Sequence, residues 1–137
     1  MTMRAVLYCR CSTSSQSVER QVRELTEVAV RNKWEIVETY IDAGISGAQG
    51  RCGRPELDRM MKDSVKKKFD VVMVSSIDRL GRSLQQLIEI LNDLQSKSVE
   101  LFMMKQAIDT TTPSGKLMFS MISAFSEFER SIIRERV

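Results

Sequence analysis

Met3-Arg4-Ala5-Val6-Leu7-Tyr8-Cys9-Arg10-Cys11-Ser12 opens the chain with an apolar run, starting at Ala5, that closes on a guanidinium and a hydroxyl. Residues 3–9 read as a strand. Residues 16–32 follow with Val18, Val22, Leu25, Val28 and Ala29 at helical spacing, and residues 34–41 alternate as a second strand. A strand, a helical crossover and another strand make a parallel pair, and the pattern then repeats. Pro55-Glu56 starts a helix carrying Leu57, Met60, Met61 and Val65, followed by a compact apolar strand over 70–75. Leu84, Leu87, Ile88, Leu91 and Leu94 are helically spaced, and residues 99–104 make a fourth strand. The order implies an α/β fold: a mostly parallel central sheet with helices on both faces. Functional residues of such sheets collect outside the carboxyl ends of the strands. Arg10 and Ser12 fall after the first strand, the glycine-rich stretch from Gly44 to Arg54 after the second, and Asp78, Arg79 and Arg82 after the third.

Residues 114–137 differ in kind. No breaker occurs from Ser114 onward, and roughly 24 residues at about 1.5 Å each would give a rod of some 36 Å if fully helical. Its apolar residues form one face with Leu117, Met121, Ala124 and Phe128 and a neighbouring face with Met118, Ile122, Phe125 and Ile132. One sheet cannot cover both, so the second burial is expected from another subunit. The organisation expected is a single domain over 1–137, an α/β core to about 113 and then the start of a long oligomerisation helix. The charged pattern at the end, without a capping glycine, reads as a truncation or fragment.

The chain has 137 residues, enough for one core, with a net charge of +3 and a pI near 8.9. That balance permits a nucleic-acid partner without requiring one. No segment reaches the roughly 18 uncharged apolar residues of a membrane span, and Arg4 breaks any signal-peptide layout, which points to the cytoplasm. Three cysteines with no histidine make a poor zinc set, because such sites want four nitrogen or sulfur ligands. Neither a metal nor a cofactor is expected.

Without histidine, Ser12 cannot belong to a Ser-His-Asp triad. The arginines Arg10, Arg54, Arg79 and Arg82 are suited to phosphate instead. Taken singly, each residue has a plainer reading: Ser12 as a helix cap, Asp78 and Arg79 as a surface ion pair, Arg82 as a solvated helix residue. Their convergence on one sheet edge favours a site.

The ordered motifs carry a resemblance. Tyr8-Cys9-Arg10-Cys11-Ser12-Thr13, Gln21 on the next helix, Asp42-Ala43-Gly44-Ile45-Ser46-Gly47 with Arg54-Pro55, Ser76-Ile77-Asp78-Arg79-Leu80-Gly81-Arg82 and Glu127-Phe128-Glu129-Arg130 resemble the motifs of the serine recombinases, the resolvase and invertase family. Cys11 departs from the family's usual aliphatic residue, and the DNA-binding module that follows the long helix in that family is missing from this chain. The resemblance implies that Ser12 attacks a DNA phosphodiester, leaving a 5′-phosphoserine link and a free 3′ hydroxyl, and that religation reverses the step without a high-energy cofactor. It implies that Arg10, Arg79 and Arg82 meet the phosphate charge and that Arg54 closes over it from the loop. Gln21 joins the catalytic set, and Tyr8, Ser46 and Arg130 support it. Asp78 either assists leaving-group protonation or orients an arginine, and the general base stays open. A homodimer that pairs into a tetramer on DNA, through Met118, Met121, Ile122, Phe125 and Phe128, is implied as well.

Two other readings fit an arginine crevice. One is a non-catalytic DNA-associated oligomerisation module; the other is a phosphoesterase working through a phosphoserine.

Overall fold

In the computed structural model, which describes residues 2–11, 15–43, 55–76, 84–122 and 124, strand β1 (Arg4–Cys11) is flanked on both sides. It pairs in parallel with β2 (Glu35–Ala43) and with β3 (Val71–Val74). Its side chains are covered on both faces, so Ala5 through Arg10 are all buried. Beyond β3 lie β4 (Glu100–Met103), parallel, and β5 (Ile108–Asp109), antiparallel, giving the order β2-β1-β3-β4-β5.

The period of two along β1 divides the core. Ala5, Leu7 and Cys9, with Val71 and Met73, pack beneath Val18, Leu25, Val28 and Ala29 of helix α1 (Ser15–Arg31). Val6 and Tyr8, with Val72 and Val74, pack on the other face. They meet Leu57, Met60 and Met61 of α2 (Pro55–Val65), Leu87, Ile90, Leu91 and Leu94 of α3 (Leu84–Ser96), and Phe119. Each of the buried valines, leucines, isoleucines, methionines and Phe119 stabilises the fold by about 1.5–3 kcal/mol relative to exposure. The chain leaves β1 toward β2 on one side and returns to β3 on the other. The crevice beyond the carboxyl ends of β1 and β3 is therefore the point where strand order reverses, the usual ligand position in open α/β sheets.

A fourth helix, α4, runs over 113–122 and includes Ala124. Its start follows from local chemistry. The Thr112 hydroxyl accepts the Gly115 N–H at 3.1 Å as an N-cap, Pro113 takes the first helical position, and Lys116 N–H bonds the Thr112 carbonyl at 3.0 Å. Gly115, Phe119 and Ile122 form the inward stripe, while Leu117, Met118 and Met121 are exposed. Ile122 thus lies against the subunit's own core, along the border of the exposed stripe, one turn after Met118.

Several boundaries differ from the sequence reading. β1 and β2 each run past their apolar stretches, because the ladder continues through Arg10↔Asp42 and Cys11↔Ala43. Arg10 consequently sits within β1 and not after it. β5 was not anticipated from the sequence: two residues are too few for any periodic signal, and they form a strand only because Phe102 and Met103 offer an edge. Within 114–137, the described helix extends to 122 and includes Ala124.

Candidate active site

The carboxyl edge of the sheet is organised around two side chains that bind backbone. Asp42, buried near the end of β2, accepts the Glu56 N–H on Oδ1 and the Leu57 N–H on Oδ2, each at 3.0 Å. These are the second and third amides of α2, so Asp42 caps that helix from across the sheet, in the role normally taken by the residue just before it. Asp42 Oδ2 also accepts the Tyr8 hydroxyl at 2.7 Å. The end of β2, the start of α2 and the middle of β1 are joined through one carboxylate, and the segment 44–54 leaves and returns at these pinned ends.

Gln21 does for β1 what another strand would do. Its Nε2 donates to the Arg10 carbonyl at 3.1 Å and its Oε1 accepts the Arg10 N–H at 3.4 Å. Gln21 and Arg10 are 3% and 8% exposed, so water would not replace these bonds cheaply. Arg10 lies on the same face of β1 as Val6 and Tyr8. A guanidinium held this deep costs desolvation and belongs with anions or dense hydrogen bonding.

A second network ties β2 to α2 away from the edge. Arg59 lies 4.4 Å above the Tyr40 ring and reaches Glu56 at 2.8 Å and Glu38 at 3.3 Å. The Tyr40 hydroxyl donates to Asp63 at 2.7 Å. Burial, and then the Asp63 carboxylate, push the Tyr40 phenol well above its ordinary range. The Tyr40 hydrogen bond, aided by the Lys68 and Arg59 charges, holds the Asp63 carboxyl below its ordinary range. Hydrogen bonding from Arg59 does the same for Glu56.

On the α1 side of the same edge, an open cleft of about 250 Å³ is lined by Arg20, Gln21, Glu24, Ser75, Ser76, Met104 and Lys105.

Of the residues the sequence singles out for the site, the structure brings Tyr8, Arg10 and Gln21 together at this edge. Ser12, Ser46, Arg54, Asp78, Arg79, Arg82 and Arg130, with Phe125 and Phe128 of the expected interface, lie outside the described residues. The elements that flank them end at one edge: β1 at Cys11, β2 at Ala43, and β3 at Val74 followed by buried Ser75 and Ser76. Sequence reasoning missed Asp42 as a working residue. Its signal was an aspartate at a strand end facing a Pro-Glu helix start that lacked a conventional cap. Among the described residues, no helix is long and apolar enough to cross a membrane.

Comparison with known proteins agrees with this geometry. The family described as "Resolvase, N terminal domain" matches residues 5–137. The transposon Tn552 DNA-invertase BinR of Staphylococcus aureus is 33% identical over 131 residues, covering 94% of this chain and 62% of its own length. Among solved structures, the N-terminal catalytic domain of TP901-1 integrase has a TM-score of 0.87 at 32% identity, covering 94% of this chain and 98% of that one. A resolvase family site-specific recombinase from Streptococcus pneumoniae has a TM-score of 0.80 at 34% identity, with 98% and 93% covered. The chain spans roughly three fifths of the invertase, 62%, but nearly all of these two structures.

Proposed function

The chain belongs to the resolvase N-terminal domain family, and from that premise we propose that it is the catalytic unit of a site-specific DNA recombinase. Ser12 Oγ attacks a DNA phosphodiester; the O–P bond to the serine forms as the bond to the 3′ oxygen breaks. The serine proton passes to a base and the 3′ oxygen takes up a proton. The 5′ end is left on Ser12. After strand exchange a 3′ hydroxyl attacks the phosphoserine and restores both the diester and the serine. The number of phosphoester bonds is unchanged, so no nucleotide is consumed.

The observation that carries this reading is the buried Arg10 at the point where strand order reverses, two residues before Ser12, with its peptide clamped by Gln21. A preorganised cation of this kind stabilises charge on a transferring phosphoryl group without reorganising. Arg79 and Arg82 add to it from the segment after β3, and Arg54 from the segment pinned by Asp42. Asp78, Tyr8, Ser46 and Arg130 support these groups. A homodimer through the exposed face of α4 and the residues after it, Phe125 and Phe128 among them, pairs into a tetramer on DNA.

The test is covalent trapping. Incubation with supercoiled DNA followed by denaturation should yield a protein–DNA adduct that disappears in Ser12→Ala. An adduct that persists in that variant removes Ser12 from the mechanism. Binding with no adduct at all would favour an oligomerisation module, and turnover of small phosphoesters alone would favour a phosphoesterase.

A further inference from the structure

The cleft between α1 and the ends of β3 and β4 contains groups that the proposed transesterification does not use. Two cations line it, Arg20 from α1 and Lys105 from the turn after β4, against one carboxylate, Glu24. Arg20 and Glu24 approach only to 4.0 Å, a weak pairing at an exposed position. Ser75 is 9% exposed, and its hydroxyl makes no hydrogen bond among the described residues. It lines a polar cleft, where its hydroxyl can donate a hydrogen bond to an occupant. Lys105 is held in place by its backbone, whose N–H bonds the Ser75 carbonyl at 2.9 Å. The space of about 250 Å³ would take about eight waters at ~30 Å³ each, or a phosphate with part of its hydration. Gln21 forms the wall shared with Arg10.

We infer that this cleft seats a second backbone phosphate of the DNA, with Arg20 and Lys105 as its cations and Ser75 as a hydrogen-bond donor. The inference rests on the DNA reading above and places a non-reacting phosphate on the α1 face, opposite the face that Arg10 occupies. A contact of this kind positions the duplex and carries no sequence information.

The experiment is a titration of a labelled mixed-sequence duplex by fluorescence anisotropy over a series of salt concentrations. Each cation that neutralises a phosphate adds about 0.9 to the slope of log K against log salt. Lys105→Ala and Arg20→Ala should each lower that slope by up to this amount. Ser75→Ala should weaken binding at unchanged slope, and Glu24→Gln should tighten it. Lys66→Ala, in the turn before β3 at the opposite edge of the sheet, should leave the slope alone. Parental slopes in Lys105→Ala and Arg20→Ala overturn the inference, as does an equal loss in Lys66→Ala or a parent chain with no salt-dependent binding. These slopes are read independently of the Ser12 adduct. A cleft that passes this test in a chain that forms no adduct would leave the phosphate seat standing and remove the transesterification.

Discussion

The Tyr8 hydroxyl on the central strand donates a 2.7 Å hydrogen bond to Asp42 Oδ2, the same atom that accepts the Leu57 N–H at the start of α2. One carboxylate therefore couples the strand that carries Arg10 to both ends of the segment that carries Ser46 and Arg54. Asp42→Ala removes the cap and leaves the buried Tyr8 hydroxyl without this acceptor. The expected loss is about 2–4 kcal/mol, combining a cap of about 1 with about 1–3 for an orphaned buried group. Tyr8→Phe keeps the cap and should lose only about 1 kcal/mol. Urea unfolding of the two variants checks the ranking; equal losses would mean that the cap contributes little.

Gln21 is expected to act on the chemistry through Arg10. In Gln21→Met the Arg10 peptide loses both side-chain bonds, at about 1–3 kcal/mol for each buried group left unsatisfied. The adduct rate should fall by more than the unfolded fraction explains, because the Arg10 peptide is then held on its β2 side alone. Gln21→Glu keeps an acceptor for the Arg10 N–H but sets a carboxylate oxygen against the Arg10 carbonyl, so it should not rescue the rate. Rate constants from quenched cleavage time courses, compared with thermal unfolding of the same samples, separate the two effects.

The parallel core was legible because each β–α pair announces itself over a long window: Val18, Val22, Leu25 and Val28 at helical spacing leave little choice for α1. Arg10 and Gln21 stood out in the sequence as candidate site residues through their motifs. Their mutual bonding did not, since a side-chain amide pairing with a peptide leaves no periodic trace. Asp42 was hidden for a related reason. Cap rules examine the residue next to a helix, whereas this cap arrives from another strand across an intervening segment. The Arg20, Ser75 and Lys105 cleft is assembled from three distant stretches, and each of its residues reads alone as ordinary surface or strand-end polarity. β5 depends on the edge offered by β4, so nothing in Ile108-Asp109 itself could have declared it.

Gly115 should resist substitution. A Cβ there would stand 1.8 Å from the Asp109 carbonyl oxygen and 2.4 Å from its carbon, so backbone must move to admit it. Gly115→Ala should destabilise at or above the upper end of the ~1–3 kcal/mol typical of overpacking, despite alanine's better helix propensity. A thermal midpoint equal to the parent's would show that the start of α4 is loosely held against β5.

Acid should weaken the chain through Asp63. Its folded carboxyl lies below the ordinary value of 3.8, first because of the Tyr40 hydrogen bond and then because of Lys68 and Arg59. The associated stabilisation is complete above that ordinary value and is lost as the pH falls through the lowered folded value. Asp63→Asn should be less stable at neutral pH and should show a flatter decline on acidification. Asp70 is lowered too, by its hydrogen bonds to Arg4, but that ion pair is 42% and 40% exposed, so solvent screening leaves Asp70→Asn with a much smaller effect. Urea midpoints measured from neutrality to below pH 3.8 test the contrast; parallel curves for Asp63→Asn and the parent would remove Asp63 as the source.

The exposed face of α4 should matter for assembly more than for folding. Phe119 and Ile122 pack inward against the core, while Leu117, Met118 and Met121 are 62%, 43% and 63% exposed. Three large apolar residues within two helical turns form a contiguous stripe, and unbranched methionines adapt to more than one packing arrangement. A second copy of the chain presenting the same stripe about a twofold axis is the simplest closed partner. Met121→Glu should therefore leave the unfolding midpoint within about 0.5 kcal/mol, the usual range for surface changes, and shift the self-association equilibrium by at least tenfold. Phe119→Ala, by contrast, should lower stability by about 3–5 kcal/mol through cavity formation. Sedimentation equilibrium read beside thermal unfolding decides the matter: a Met121→Glu variant that associates as the parent does would show that this stripe is not the subunit contact.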